Sequence, residues 1–116
     1  MYYKEIQKFT TDVAKIANNL HESKENIQAI KEYLFFNDSF SPDCAIAQSW
    51  QRLMLGKDIK QHDYTLINHE LYEMKLKKDN PKMGHLAAHT LASNRYDYQK
   101  EVEEYYAEFR KRKKKR

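Results

Sequence analysis

Apolar residues recur at helical spacing along most of the chain. Ile6, Phe9, Val13, Ile16 and Leu20 stand three or four positions apart, which predicts a first amphipathic helix over about residues 3–20. "HESKEN" then forms a polar joint, with Ser23 suited to cap a new helix and Asn26 standing where a capping box would carry Glu or Gln. Ile27, Ile30 and Leu34 carry a second helix to about Phe36, the alternative being one long helix through the joint. "FNDSFSPD" is the strongest break, since Asn37, Asp38 and Ser39 favour turns and Ser41 followed by Pro42 is a helix start. A third helix is predicted from Pro42 to Leu55, ending at Gly56, with Ile46, Trp50, Leu53 and Met54 on its buried face and Trp50 as a core anchor. Residues 57–61 lead to a fourth helix over about 62–78, which stops before "DNPKMG". A fifth spans roughly 84–95. A sixth begins near Asp97, with Val102, Tyr105, Tyr106 and Phe109 as its apolar stripe.

The composition agrees with that pattern. In 116 residues there are only two glycines and two prolines, too few turns for a many-stranded sheet, so the expected class is all-α: a compact bundle of five to six helices. Residues 1–109 read as a single helical domain and 110–116 as a basic tail. The lone Cys44 forms no internal disulfide, and with no basic or histidine neighbour it reads as a small buried or half-buried hydrophobe. No secretory signal and no apolar run of about 20 residues is present, which points to a reducing compartment, initially the cytoplasm of the producing cell, and to no membrane role.

The formal net charge of +4 changes meaning once divided. Seven of the 21 basic residues form the terminal run "RKRKKKR", leaving 14 against 17 acidic residues, a net of −3 for the rest. The polyanion-binding potential therefore lies in Arg110, Lys111, Arg112, Lys113, Lys114, Lys115 and Arg116. Such a run contacts phosphates without reading bases, and its mutual repulsion predicts a frayed end. The competing reading is a merely solubilising end. The tail has neither an apolar face for a membrane nor an aromatic residue to stack bases.

"LINHELYEMKL", residues 66–76, carries the candidate chemistry. On the fourth helix His62, Leu66, His69, Glu73 and Leu76 share one arc, and Ile67, Leu71 and Met74 a second; Glu70 projects between them, so burial would oblige it to find a partner or raise its pKa. On the fifth helix His85, Ala88, His89, Ala92 and Tyr96 share a face, and the alanines let another helix come close, bringing His89 within reach of His69, Glu70 or Glu73. Two readings follow. In the first, the pattern is a weakened form of the zincin helix HExxH: His69, Glu73 and His89 bind zinc and Glu70 is the general base of a hydrolase or nuclease. In the second, which the sequence favours, no metal or catalytic residue is involved, and His69, Glu70, Glu73, His89 and Tyr96 form an interhelical polar network that fixes register. His62 and Asp63 read as helix capping, an acidic first turn complementing the helix dipole.

Taken in order, "IKEYLFFND", "FSPDCAIAQSWQRLMLGKDIKQHDYTLINHELYE", "AAHTLASNRYDYQKEVEEYY" and the basic end resemble the C-terminal region of minor head proteins, of head-morphogenesis type, from tailed phages and prophages of Gram-positive bacteria. The similarity covers about residues 27–110 and rests on Ser49 to Leu53, His62 and Asp63, His69, Glu70 and Glu73, and Ala88, His89, Tyr96 and Tyr98. The HE..E and AH elements are also similar to C-terminal segments of some polymorphic toxins. Minor head proteins are much longer, and their portal-associated part has no counterpart in these residues. The resemblance implies a phage or prophage protein acting by binding, head-associated or DNA-associated, with a phage head, portal or host protein as partner and a location in the bacterial cytoplasm or the virion. A metal-dependent toxin and an inhibitor that occludes a host or defence enzyme are the alternatives.

Overall fold

The computed structural model describes residues 3–36 and 44–114, and among them finds seven α-helices and no strand. The all-α class expected from the pattern is what the chain adopts. The helices are α1 (Tyr3–Gln7), α2 (Asp12–Leu20), α3 (Lys24–Phe35), α4 (Cys44–Leu55), α5 (Gln61–Asp79), α6 (His85–Arg95) and α7 (Tyr98–Lys114). Two compact units divide the chain, Met1–Asp63 and Tyr64–Arg116.

In the first unit α2 packs against α3 and α4, and α1 lies on the same two helices. Ile6, Ile16, Ile27, Ile30, Leu34, Trp50 and Leu53 are fully buried or nearly so. Trp50 anchors this core, its ring meeting Phe35 edge to face at 5.3 Å between centroids. A buried charge cluster shares the interior. Asp12 accepts from Lys31 Nζ at 2.9 Å and from Trp50 Nε1 at 2.9 Å, while Lys31 also donates to the Phe9 carbonyl at 2.9 Å. Each buried charge thus has partners, as desolvation demands.

Joints are set by local chemistry. The single first helix predicted over 3–20 is two helices: Lys8 and Phe9 close tight turns onto Glu5 and Ile6, and α2 restarts at Asp12, whose carboxylate is drawn into the core by Lys31 and Trp50. The polar joint does separate α2 from α3. His21 takes a left-handed conformation (φ 56°), and Glu22 N–H reaches back to Ala17 O at 2.9 Å while His21 N–H reaches Asn18 O, the paired bonds of a Schellman ending. Ser23 then caps α3, its hydroxyl accepting from Asn26 N–H at 3.1 Å; Asn26 turns its own side chain to Glu22 and leaves the capping box open. The expected break at residues 37–43, with the helix start at Ser41–Pro42, lies outside the described residues. Cys44 is exposed, contrary to the expectation of a buried or half-buried side chain, because it opens α4 two residues before Ile46, the first buried residue of that helix. At the far end Gly56 is left-handed (φ 67°), and the Asn19 amide caps α4 by donating to Leu53 O at 2.8 Å. A side chain at position 56 would press on that amide, 3.1 Å away.

In the second unit α5 ends at the "DNPKMG" connection, where Met83 N–H closes a turn onto Asn80 O at 2.8 Å. Ala88 and Ala92 of α6 are fully buried. Asp97 caps α7 by accepting from Lys100 N–H at 3.1 Å, and Thr65 of α5 donates to the Glu101 carboxylate at 2.7 Å, tying α5 to α7. Of the apolar stripe on α7, Val102 is buried, while Tyr105 and Phe109 are exposed. The helix does not end with the stripe. It continues through Arg110, Lys111, Arg112, Lys113 and Lys114, and the last two residues of the basic end expected to fray, 115–116, lie outside the described residues. Lys and Arg are strong helix formers, and cations near a helix C-terminus complement its dipole, which offsets their repulsion.

Candidate functional site

The polar cluster of the second unit is built from a helix repeat on α5 and another on α6. His69 and Glu73 stand four residues apart on α5, and His85 and His89 four apart on α6, so each pair lies along one face. His69 is pinned from both sides. Its Nδ1 lies 3.1 Å from the Tyr96 carbonyl oxygen, which only accepts, so Nδ1 carries a proton; its Nε2 is 3.2 Å from Glu73 Oε2 and 3.3 Å from His89 Nδ1. His89 Nδ1 in turn lies 3.4 Å from Glu73 Oε2. The other carboxylate oxygen, Oε1, has Lys77 Nζ at 3.3 Å and His85 Nδ1 at 3.2 Å, yet it accepts no hydrogen bond of good geometry among the described residues. His69 and Glu73 are buried, whereas the side chains of His85 and His89 are about half exposed, so the cluster has an inner wall and an open rim.

The electrostatics follow from this arrangement. Burial by itself would push the Glu73 carboxyl up, but the hydrogen bond from His69 and the Lys77 ammonium outweigh it and hold the pKa at about 2. Glu70 takes no such partners. Its burial, reinforced by the Glu73 charge, lifts its pKa to about 7 against the opposing pull of His69 and Lys77. Burial depresses His69, yet its bonds to Glu73 and the Tyr96 carbonyl, with the Glu70 and Glu73 charges nearby, leave its pKa raised above 6.5.

The predicted residues His69, Glu73, His89 and Tyr96 therefore meet, with His85 added at the rim. Tyr96 enters through its backbone carbonyl; its ring packs edge to face on Tyr72 at 5.9 Å between centroids, beside Arg95. Glu70 is buried, as its position between two arcs predicted, and its raised pKa answers the need for a partner. His62 and Asp63 belong to the first unit. Asp63 accepts from Lys60 N–H at 2.9 Å, the capping role predicted, but its carboxylate is also gripped by Arg52 through Nε at 2.6 Å and Nη2 at 2.7 Å. Arg52 Nη2 lies 3.2 Å from His62 Nε2, and since a guanidinium only donates, that nitrogen accepts. Neither the Arg52 grip nor the Asp12–Lys31–Trp50 cluster is visible in the periodicity, because both join residues from different helices.

At the basic end, Arg110, Lys111 and Arg112 are exposed on α7. Arg110 stands twelve residues beyond Tyr98, so about 18 Å of helix separates the start of α7, next to Tyr96, from the basic run. No helix among the described residues is long and apolar enough to cross a membrane. No family model, curated protein or solved structure matches the chain.

Proposed function

We propose that this chain is a helical binding protein that engages nucleic acid through the basic end of α7, without reading base sequence, and a protein partner through its helical body. The continuation of α7 through Lys114 carries this reading: a run of cations held on a helix presents them at fixed spacing, and each phosphate neutralised releases condensed counterions. The basic run begins about 18 Å of helix beyond Tyr98, the first residue of α7, and the contacts of the histidine cluster are made by Lys77 and Tyr96 and by its own members, which favours binding over a nuclease whose phosphate-gripping residues surround its reacting centre. The resemblance to phage minor head proteins supports a head-associated or DNA-associated accessory role. The test is binding to a random-sequence duplex from 50 to 200 mM salt, followed by fluorescence anisotropy. The full chain is expected to show a log–log slope of about −0.9 per phosphate contact, and a chain lacking residues 110–116 a nearly flat one. Equal binding by the two would remove the reading.

A further inference from the structure

We infer that His69, Glu73 and His89 form a binding site for a zinc-like divalent transition-metal ion that clamps α5 to α6. The donor atoms are His69 Nε2, Glu73 Oε2 and His89 Nδ1, and their mutual separations are 3.2, 3.3 and 3.4 Å. Zinc binds nitrogen and oxygen at about 2.0–2.1 Å in tetrahedral geometry, which places donors about 3.3–3.4 Å from one another. The three atoms therefore already mark one face of such a tetrahedron, and an ion needs shifts of only tenths of an ångström.

Protons satisfy this triangle less well than a cation does. Hydrogen bonds from both histidines to Glu73 would turn two N–H groups toward each other across the 3.3 Å between His69 Nε2 and His89 Nδ1. A hydrogen bond along that third edge takes a proton away from one of the other two. A metal ion accepts lone pairs along all three directions at once. The bond from His69 Nδ1 to the Tyr96 carbonyl leaves Nε2 as the ligating nitrogen, and this is the outer support that metal-binding histidines generally have.

Glu73 suits the part of buried ligand: it is 2% exposed, and its Oε1 faces Lys77 Nζ at 3.3 Å and His85 Nδ1 at 3.2 Å, which leaves Oε2 to the two ring nitrogens. His89 is half exposed, which gives the ion a route in and leaves the fourth position facing solvent or His85. Two imidazoles and one carboxylate select a borderline transition ion over magnesium or calcium, which favour all-oxygen sets.

The test uses the full chain, stripped with chelator and titrated calorimetrically with zinc chloride, and in parallel with cobalt chloride to read the visible bands of tetrahedral cobalt. One equivalent is expected, with a rise in Tm on loading. His89→Ala removes a half-exposed ligand at little risk to folding and should weaken zinc binding more than about tenfold, with loss of the cobalt bands and of the Tm rise. Glu73→Gln, confirmed folded by circular dichroism, should do the same. Absence of stoichiometric binding would overturn the assignment, as would His89→Ala retaining full affinity, or magnesium binding as tightly as zinc. Deletion of residues 110–116 should leave zinc binding unchanged, which separates this site from the nucleic-acid reading.

Discussion

His69 and Tyr96, 27 residues apart, are joined by a 3.1 Å hydrogen bond from the imidazole Nδ1 to a backbone carbonyl. That bond fixes the ring and turns Nε2 toward Glu73. In metal-free protein His69→Ala leaves both the Glu73 carboxylate and the Tyr96 carbonyl short of a donor, and is expected to destabilise the second unit by about 2–4 kcal/mol. His69→Asn places an amide N–H near the former Nδ1 and should cost less. Hydrogen-exchange protection of α5 and α6 amides reads the difference; equal loss in both variants would show that the Tyr96 bond contributes nothing.

The two glutamates of α5 predict opposite pH behaviour on either side of pH 4.5. Glu73 is depressed in the fold, so its contribution is present above 4.5 and is lost as pH falls towards 2. Glu70 is raised, so the folded state holds its proton longer than the unfolded chain does. Stability falls as pH rises from 4.5 to about 7, by an upper limit of about 3 kcal/mol. His69, also raised, adds a contribution that is full below 6.5 and lost as pH rises through its folded value. Chelator-treated protein should therefore be most stable near pH 5, by exchange protection of α5. Glu70→Gln should flatten much of the decline towards neutrality, and an unchanged decline would refute the assignment.

Asp12 and Lys31 are 1% and 4% exposed and make a buried ion pair in the first unit. Asp12→Leu strands an ammonium in the core and should cost about 3–5 kcal/mol, whereas Asp12→Leu combined with Lys31→Met should cost clearly less, because no charge is left uncompensated. Trp50 donates to Asp12, so its fluorescence during urea unfolding reports on this unit directly. A double variant as unstable as the sum of the two singles would show the residues to be uncoupled.

Much of this architecture is legible in periodicity and punctuation. The spacing of Ile27, Ile30 and Leu34 defines the buried face of α3, and Ser23, Gly56 and Asp97 mark helix ends because their backbone or side chains suit caps. The i,i+4 placement of His69 and Glu73 on one face needs only the pitch of a helix. Local signals failed where a distant partner decided the outcome. The split between α1 and α2 follows Asp12 into the core, and Cys44 is exposed because α4 begins ahead of its buried face.

The sequence by itself determined the all-α class, most of the helix spans and which side chains share a face, since these depend on neighbours within one or two turns. Only the tertiary structure decided that Asp12 meets Lys31 and Trp50, that Arg52 grips Asp63, and that His89 closes a triangle with His69 and Glu73. These pairings join different helices, and a buried charge or lone pair is satisfied by whichever group the packing brings to it, which no period along the chain encodes.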